Sequence, residues 1–83
     1  MNKYLVDVYL PALGEHYDVY LPVNKSVGEA TSLLVRIVES LSNGNFKGTS
    51  ETVLLSAVDG EIFNRNLNVY DAGIRNSSKL ILI

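Results

Sequence analysis

Lys79-Leu80-Ile81-Leu82-Ile83 closes the chain, and four of these five residues are large aliphatics. A strand with one wet face alternates apolar with polar residues. A run that is apolar at both parities needs cover on both faces, so residues 79–83 read as an interior strand. Because the run also ends the sequence, nothing loose is expected beyond it to carry chemistry. The rest of the chain must supply a neighbour on each edge of this strand and a layer over one face.

The 83 residues suffice for a single domain, 1–83, built on one core. With 47% hydrophobic and 19% charged residues, the balance is that of a globular chain. The net charge is −2 and the lysines and arginines are scattered, so no basic stripe exists to neutralise phosphates and nucleic acid is not an expected partner. The absence of cysteine removes disulfides, iron–sulfur ligation and thiol chemistry, and points weakly to a reducing cytoplasm. No basic segment followed by an apolar one opens the chain, and no apolar run is long enough for a bilayer. Neither a signal peptide nor direct membrane insertion is therefore expected.

Residues 4–10 are rich in β-branched and aromatic types and read as a strand with Tyr4, Val6, Val8 and Leu10 inward. Pro11 and Gly14 break it, and residues 16–21 alternate again, with Tyr17, Val19 and Leu21 inward and Asp18 and Tyr20 outward. Ser26-Val27-Gly28-Glu29 fits a capping box and starts a helix. Val27, Ala30, Leu34, Ile37 and Leu41 form its apolar stripe, widened by Leu33 and Val38, and Asn43-Gly44 stops it. Phe46 is expected to tuck back from a polar connection. Residues 52–58 read as a third strand and residues 61–63 as a fourth, joined by a two-residue Asp59-Gly60 turn. That register pairs Ala57 with Ile62 and Ser56 with Phe63. It places Val53, Leu55, Ala57 and Ile62 in the core and leaves Leu54, Ser56 and Phe63 outside. Residues 64–78 read as irregular, pinned by Leu67, Val69 and Ile74. The most economical arrangement inserts the last strand between the first and third, with the connection through the helix crossing over right-handedly. The expected class is α+β: a β-grasp, a mixed sheet of four to five strands with one helix packed across one face.

Leu67, the run Asp71-Ala72-Gly73-Ile74-Arg75-Asn76-Ser77-Ser78 and the leucine-alternating strand after it resemble the closing segment of ubiquitin-like proteins. The Asp-x-Gly-Ile-x-Asn form is especially similar to the YukD-like proteins of Gram-positive type VII secretion loci. This resemblance implies a non-enzymatic, bacterial cytoplasmic accessory protein without a cofactor. Its implied partners are the membrane secretion machinery or its ATPase, so it would sit at the inner face of the membrane only through a protein. Two departures stand out. Ubiquitin carries a diglycine tail, whereas this sequence ends at Ile83, so neither conjugation nor sulfur carriage is expected. Ubiquitin's buried loop tyrosine has no match at Ala72, and Tyr70 is shifted from that place.

Candidate chemistry is sparse. His16 is the only histidine, which excludes a histidine cluster for metal and leaves no paired nucleophile and base. Asp7 and Asp18 are placed to face each other across the first hairpin, but an outer face provides no cleft to perturb them, so both read as solvated charges. The glycines never group into a phosphate cradle. Tyr9 and Tyr20 read either as a docking patch or as a cross-strand pair within the hairpin. If Leu80 and Leu82 face the helix, Ile81 and Ile83 face away, with Leu54 and Phe63 beside them. In ubiquitin-like proteins this sheet face is the usual protein-binding patch, so the candidate contact residues are Leu54, Ile81, Ile83, Phe63, Tyr9 and Tyr20. Such a patch suits a modest interface or a homodimer. On this reading Ile81→Asp and Leu54→Asp keep the fold and lose the partner, whereas Leu82→Asp unfolds the domain. The competing readings are a small β-grasp subunit of an oxygenase, a modifier or sulfur carrier whose Gly-Gly tail is missing here, and a domain of a longer membrane protein.

Overall fold

Alternation produces the first hairpin. In the computed structural model, which describes residues 2–83, β1 (Lys3–Leu10) and β2 (Glu15–Pro22) pair antiparallel, with Val6 opposite Val19 and Val8 opposite Tyr17. The helix α1 (Val27–Leu41) follows, then β3 (Leu54–Ser56) and β4 (Lys79–Leu82). The sheet order is β2-β1-β4-β3, with β4 parallel to β1 and antiparallel to β3. The last strand is thus interior, as its composition requires, and one helix covers one face of a mixed four-stranded sheet.

The core joins Val6, Val8 and Leu10 of β1, Val19 and Leu21 of β2, Ala30, Leu34 and Val38 of α1, Leu54 of β3, and Leu80 and Leu82 of β4. Phe46, Val69 and Ile74 close it from the connections. Leu67 does not join them and is 40% exposed. The buried face of α1 is centred on Val27, Ala30, Thr31, Leu34 and Val38. Leu33, Ile37 and Leu41 recur every fourth residue, which places them along one flank, and Leu33 and Leu41 are exposed there instead of in the core.

The second hairpin departs from the sequence reading. Residues 61–63 form no strand; a single bridge, Leu55 to Ile62, replaces it. The Ser56 amide donates to Glu61 O and the Gly60 amide to Ser56 O, so residues 57–60 make a four-residue turn in which only Gly60 takes a positive φ. The Asp59 side chain accepts the Glu61 amide instead of entering a type I′ turn. Parity is also reversed. Leu54 and Ser56 turn inward opposite Leu82 and Leu80, whereas Val53, Leu55, Ala57 and Ile62 leave the core. Both parities of this segment carry aliphatics, so alternation does not choose between them. Pairing with β4 does: the face bearing Leu80 and Leu82 takes Leu54, and Phe63, whose amide bonds Leu54 O, packs against the core.

The helix start is held by the chain that follows it in sequence only much later. The Val27 and Gly28 amides donate to Leu67 O and Arg65 O, at 2.8 and 3.1 Å. The Glu29 amide donates to Ser26 Oγ and the Ser26 amide to Glu29 Oε1. All four amides that a helix leaves unpaired at its first turn therefore have acceptors. Gly28 permits this approach, because a Cβ there would press on Arg65, not on the sheet. A second close contact brings Gly48 onto Val35, with the Gly48 amide donating to Glu39 Oε2. At the far end, Asn43 and Gly44 both take positive φ and end the helix.

Three stability outcomes follow. Leu54→Asp and Leu82→Asp are both expected to abolish cooperative unfolding, because each places an unpaired charge in a core whose total stability is ~5–15 kcal/mol. Gly48→Ala is expected to cost about 1–3 kcal/mol in urea unfolding, since the stiff β-branched Val35 occupies the space of the new methyl. Ser26→Ala should cost about 1 kcal/mol near neutral pH. Bonds from the Ser26 amide and then the Ser26 hydroxyl hold the Glu29 carboxylate below its ordinary range, with a smaller contribution from Lys25. A depressed carboxylate contributes stability above its unfolded-state pKa and loses it as pH falls through the folded-state value. The gap between wild type and Ser26→Ala should therefore narrow in acid, which urea titrations at neutral and acidic pH would measure.

Candidate functional site

The sheet face opposite α1 is built by register. Tyr9 lies opposite His16 on one side and Ile81 on the other; Ile81 lies opposite Leu55, and Leu55 bridges to Ile62. These residues make one row across the whole sheet, about 19 Å long at the ~4.8 Å spacing between strands. Tyr9, Ile81 and Leu55 are half-buried, and Ile62 is exposed. Ile83 and Val53 exchange two backbone hydrogen bonds and extend the apolar surface at one end. The next row is polar: Asp18, Asp7 and Lys79.

Of the six residues nominated from sequence, Ile81, Ile83 and Tyr9 lie together on this face. Tyr20 is outward but belongs elsewhere, because it pairs with Leu5 on the far side of the Asp18–Asp7–Lys79 row. Tyr9 and Tyr20 are therefore not neighbours: the register places Tyr9 against His16, with ring centroids 4.6 Å apart. Leu54 and Phe63 are corrected: both turn toward the helix side, Leu54 into the core and Phe63 against it. Leu55 and Ile62 hold the places expected for them. The missed signal is β3–β4 pairing, since whichever residue stands opposite Ile81 must share its face.

Asp7 and Asp18 do face each other, and the His16 ring lies against Tyr9 with Nδ1 2.9 Å from Asp7 Oδ1. His16 is largely exposed and Asp7 about a third so. Water reaches both, and the pair is better suited to fixing the imidazole over Tyr9 than to proton transfer. A groove of about 500 Å³ runs between the second hairpin and the 64–78 connection. Its acids, Asp59 and Glu61, are fully on the surface, so it lacks the desolvation an acid–base site requires. Among the described residues no group of three histidines or carboxylates converges on a point that could hold a metal ion, and no helix is long and apolar enough to cross a membrane.

The 64–78 connection is built around Arg75. Its guanidinium lies 3.8 Å from the centre of the Tyr70 ring and donates to Tyr70 O and Ile74 O. Tyr70 is half-exposed, so this connection does not bury a tyrosine in the ubiquitin manner. Asn76 Oδ1 then accepts the Leu5 amide, the Ser77 amide donates to Leu5 O, and the Asp7 amide donates to Ser78 O. Ser77 takes a positive φ of 68° to make this turn.

No protein-family model and no curated protein matches the chain. Solved structures do. A chain of the MycP5-free ESX-5 inner membrane complex matches all of this chain at 18% identity with a TM-score of 0.82. This chain spans 21% of that one's length. The EccD5 ubiquitin-like domain from Mycobacterium xenopi matches over 100% of this chain and 94% of its own, at 15% identity and a TM-score of 0.81. A chain of the toluene 4-monooxygenase HD complex matches 96% of this chain and 95% of its own, at 11% identity and a TM-score of 0.75. At these identities the likeness is one of architecture, and the architecture is that of a ubiquitin-like β-grasp domain.

Proposed function

We propose that this chain is a ubiquitin-like accessory of a bacterial type VII secretion system, acting through protein–protein contact at the inner side of the membrane and performing no chemistry of its own. The contact face is the row Tyr9–Ile81–Leu55–Ile62 with Ile83 at its end. The observation that carries this reading is the unbroken apolar row on the open sheet face, with the nearest charges set one row away. The likeness to the EccD5 domain and to a chain of an inner membrane complex supports the choice of system. The resemblance of the closing segment to YukD-like proteins points the same way. Burying each side chain of the row is worth roughly 1.5–3 kcal/mol before association costs, which suits a modest, reversible interface.

A second reading has one observation in its favour: the likeness to a chain of a monooxygenase complex supports a small structural subunit of an oxygenase. Tagged protein incubated with solubilised native membranes and cytosol separates the two by which components co-purify. Ile81→Asp and Leu55→Asp are expected to keep the wild-type melting transition and to lose at least about tenfold of the captured secretion components, the equivalent of ~1.4 kcal/mol. Full capture by both folded variants would remove the face from consideration, and co-purification of oxygenase subunits would favour the second reading. A homodimer through the same face would instead appear as concentration-dependent sedimentation that Ile81→Asp abolishes.

A further inference from the structure

Four aliphatics that the sequence pattern assigns to a core stay exposed in the folded chain: Leu33, Leu41, Ile62 and Leu67. They fall into two groups. Leu33 and Leu41 lie about two turns apart on α1, with Arg36 between them, and line one shallow hollow. Leu41 also borders a cleft with Glu15 and Tyr17, so this flank looks out over the β2 edge of the sheet. Ile62 and Leu67 line the groove of about 500 Å³ between the second hairpin and the 64–78 connection. They are joined there by Val58, which is 87% exposed. The groove borders β3 at Ser56, and β2 and β3 are the opposite edges of the sheet. The two groups therefore face apart, and a single copy cannot cover one with the other.

The charges beside them are opposite. Arg36 is exposed on the flank, and Asp59 and Glu61 are exposed on the hairpin wall of the groove. Among the described residues none of the three has an oppositely charged group within ion-pair distance. Each surface carries one further charge, Glu15 near Leu41 and Lys79 at the groove, and these are opposite in sign as well. A two-fold contact centred on the flank would set Arg36 against Arg36. One centred on the groove would set Asp59 and Glu61 against their own copies. Both juxtapositions are unfavourable. Flank against groove pairs unlike charges while covering aliphatics on both sides.

We infer that the Leu33–Arg36–Leu41 flank of one copy docks into the Asp59–Glu61 groove of the next, so that the chain associates with itself head to tail. Such a contact is heterologous. Each assembly keeps a free flank at one end and a free groove at the other, and growth continues past the dimer unless a ring closes. The inference stands apart from the outer apolar row, with which it shares only Ile62.

Sedimentation velocity of the full chain, from micromolar to millimolar concentration, tests this. Wild type is expected to grow past the dimer as concentration rises, and added salt to reduce that growth. The flank variant is Leu33→Ser, Leu41→Ser. The groove variant is Asp59→Asn, Glu61→Lys, in which asparagine keeps the acceptor that Asp59 offers the amide of residue 61. Each is expected to keep the wild-type melting transition and to associate at least about tenfold more weakly. Mixed in equal amounts they should form a heterodimer and stop there, since one supplies an intact groove and the other an intact flank. In that mixture the isotope-labelled groove variant should show amide shifts centred on residues 33–41. Ile81→Asp should associate as wild type does. Growth that ends at a dimer, variants that fail to pair when mixed, association abolished by Ile81→Asp, or a wild type that stays monomeric throughout would each overturn the inference.

Discussion

Parallel pairing of β4 with β1 is the contact on which the other features of this domain depend. It joins residues about as far apart as the chain allows: the Leu5 amide meets Asn76 Oδ1 across 71 positions, and Lys79, Leu80 and Ile81 then run alongside Asp7, Val8 and Tyr9. Once β4 is seated, Leu80 and Leu82 lie under the helix, and Ile81 lies in the middle of the opposite face. β3 has no choice of parity after that, because its residues must match the faces of the strand they bond. Such non-local pairing demands loop closure before any contact rewards it, which slows folding relative to a chain of local contacts.

The irregular connection before β4 is a structural part rather than a tether. Its carbonyls at Arg65 and Leu67 satisfy the first amides of α1, and Val69 and Ile74 seal the core from the same segment. Arg75 holds its last bend by bonding two carbonyls while stacked on Tyr70. One stretch without regular secondary structure therefore couples the start of the helix to the entry of the last strand. Disturbing either end would be felt at the other, since they share the same backbone.

The two faces of the sheet divide the work. The helix side is a closed core in which the buried Thr31, Ser42 and Thr52 hydroxyls all find backbone partners. The other side is an open surface with an apolar row and a charged row in parallel. Among the described residues neither the histidine nor any carboxylate is enclosed.

The first hairpin, the Ser26–Glu29 cap, the Asn43-Gly44 stop, the tucked Phe46 and the interior position of the last strand were all legible before any coordinates. Each follows from local chemistry: period-two alternation, a hydroxyl that reaches an amide, a residue that tolerates positive φ, or a run that needs cover on both sides. The ubiquitin-like architecture was legible too, through the closing segment. The parity of residues 53–56 was not, because Val53 and Leu55 are as apolar as Leu54 and local preference is indifferent between them. The same indifference hid Leu55 and Ile62 and misplaced Leu54 and Phe63. The flank of Leu33 and Leu41 also looked like core, since a helical period shows which residues share a side and not how far the sheet extends beneath it. Local rules select elements; faces and edges belong to the neighbours those elements meet.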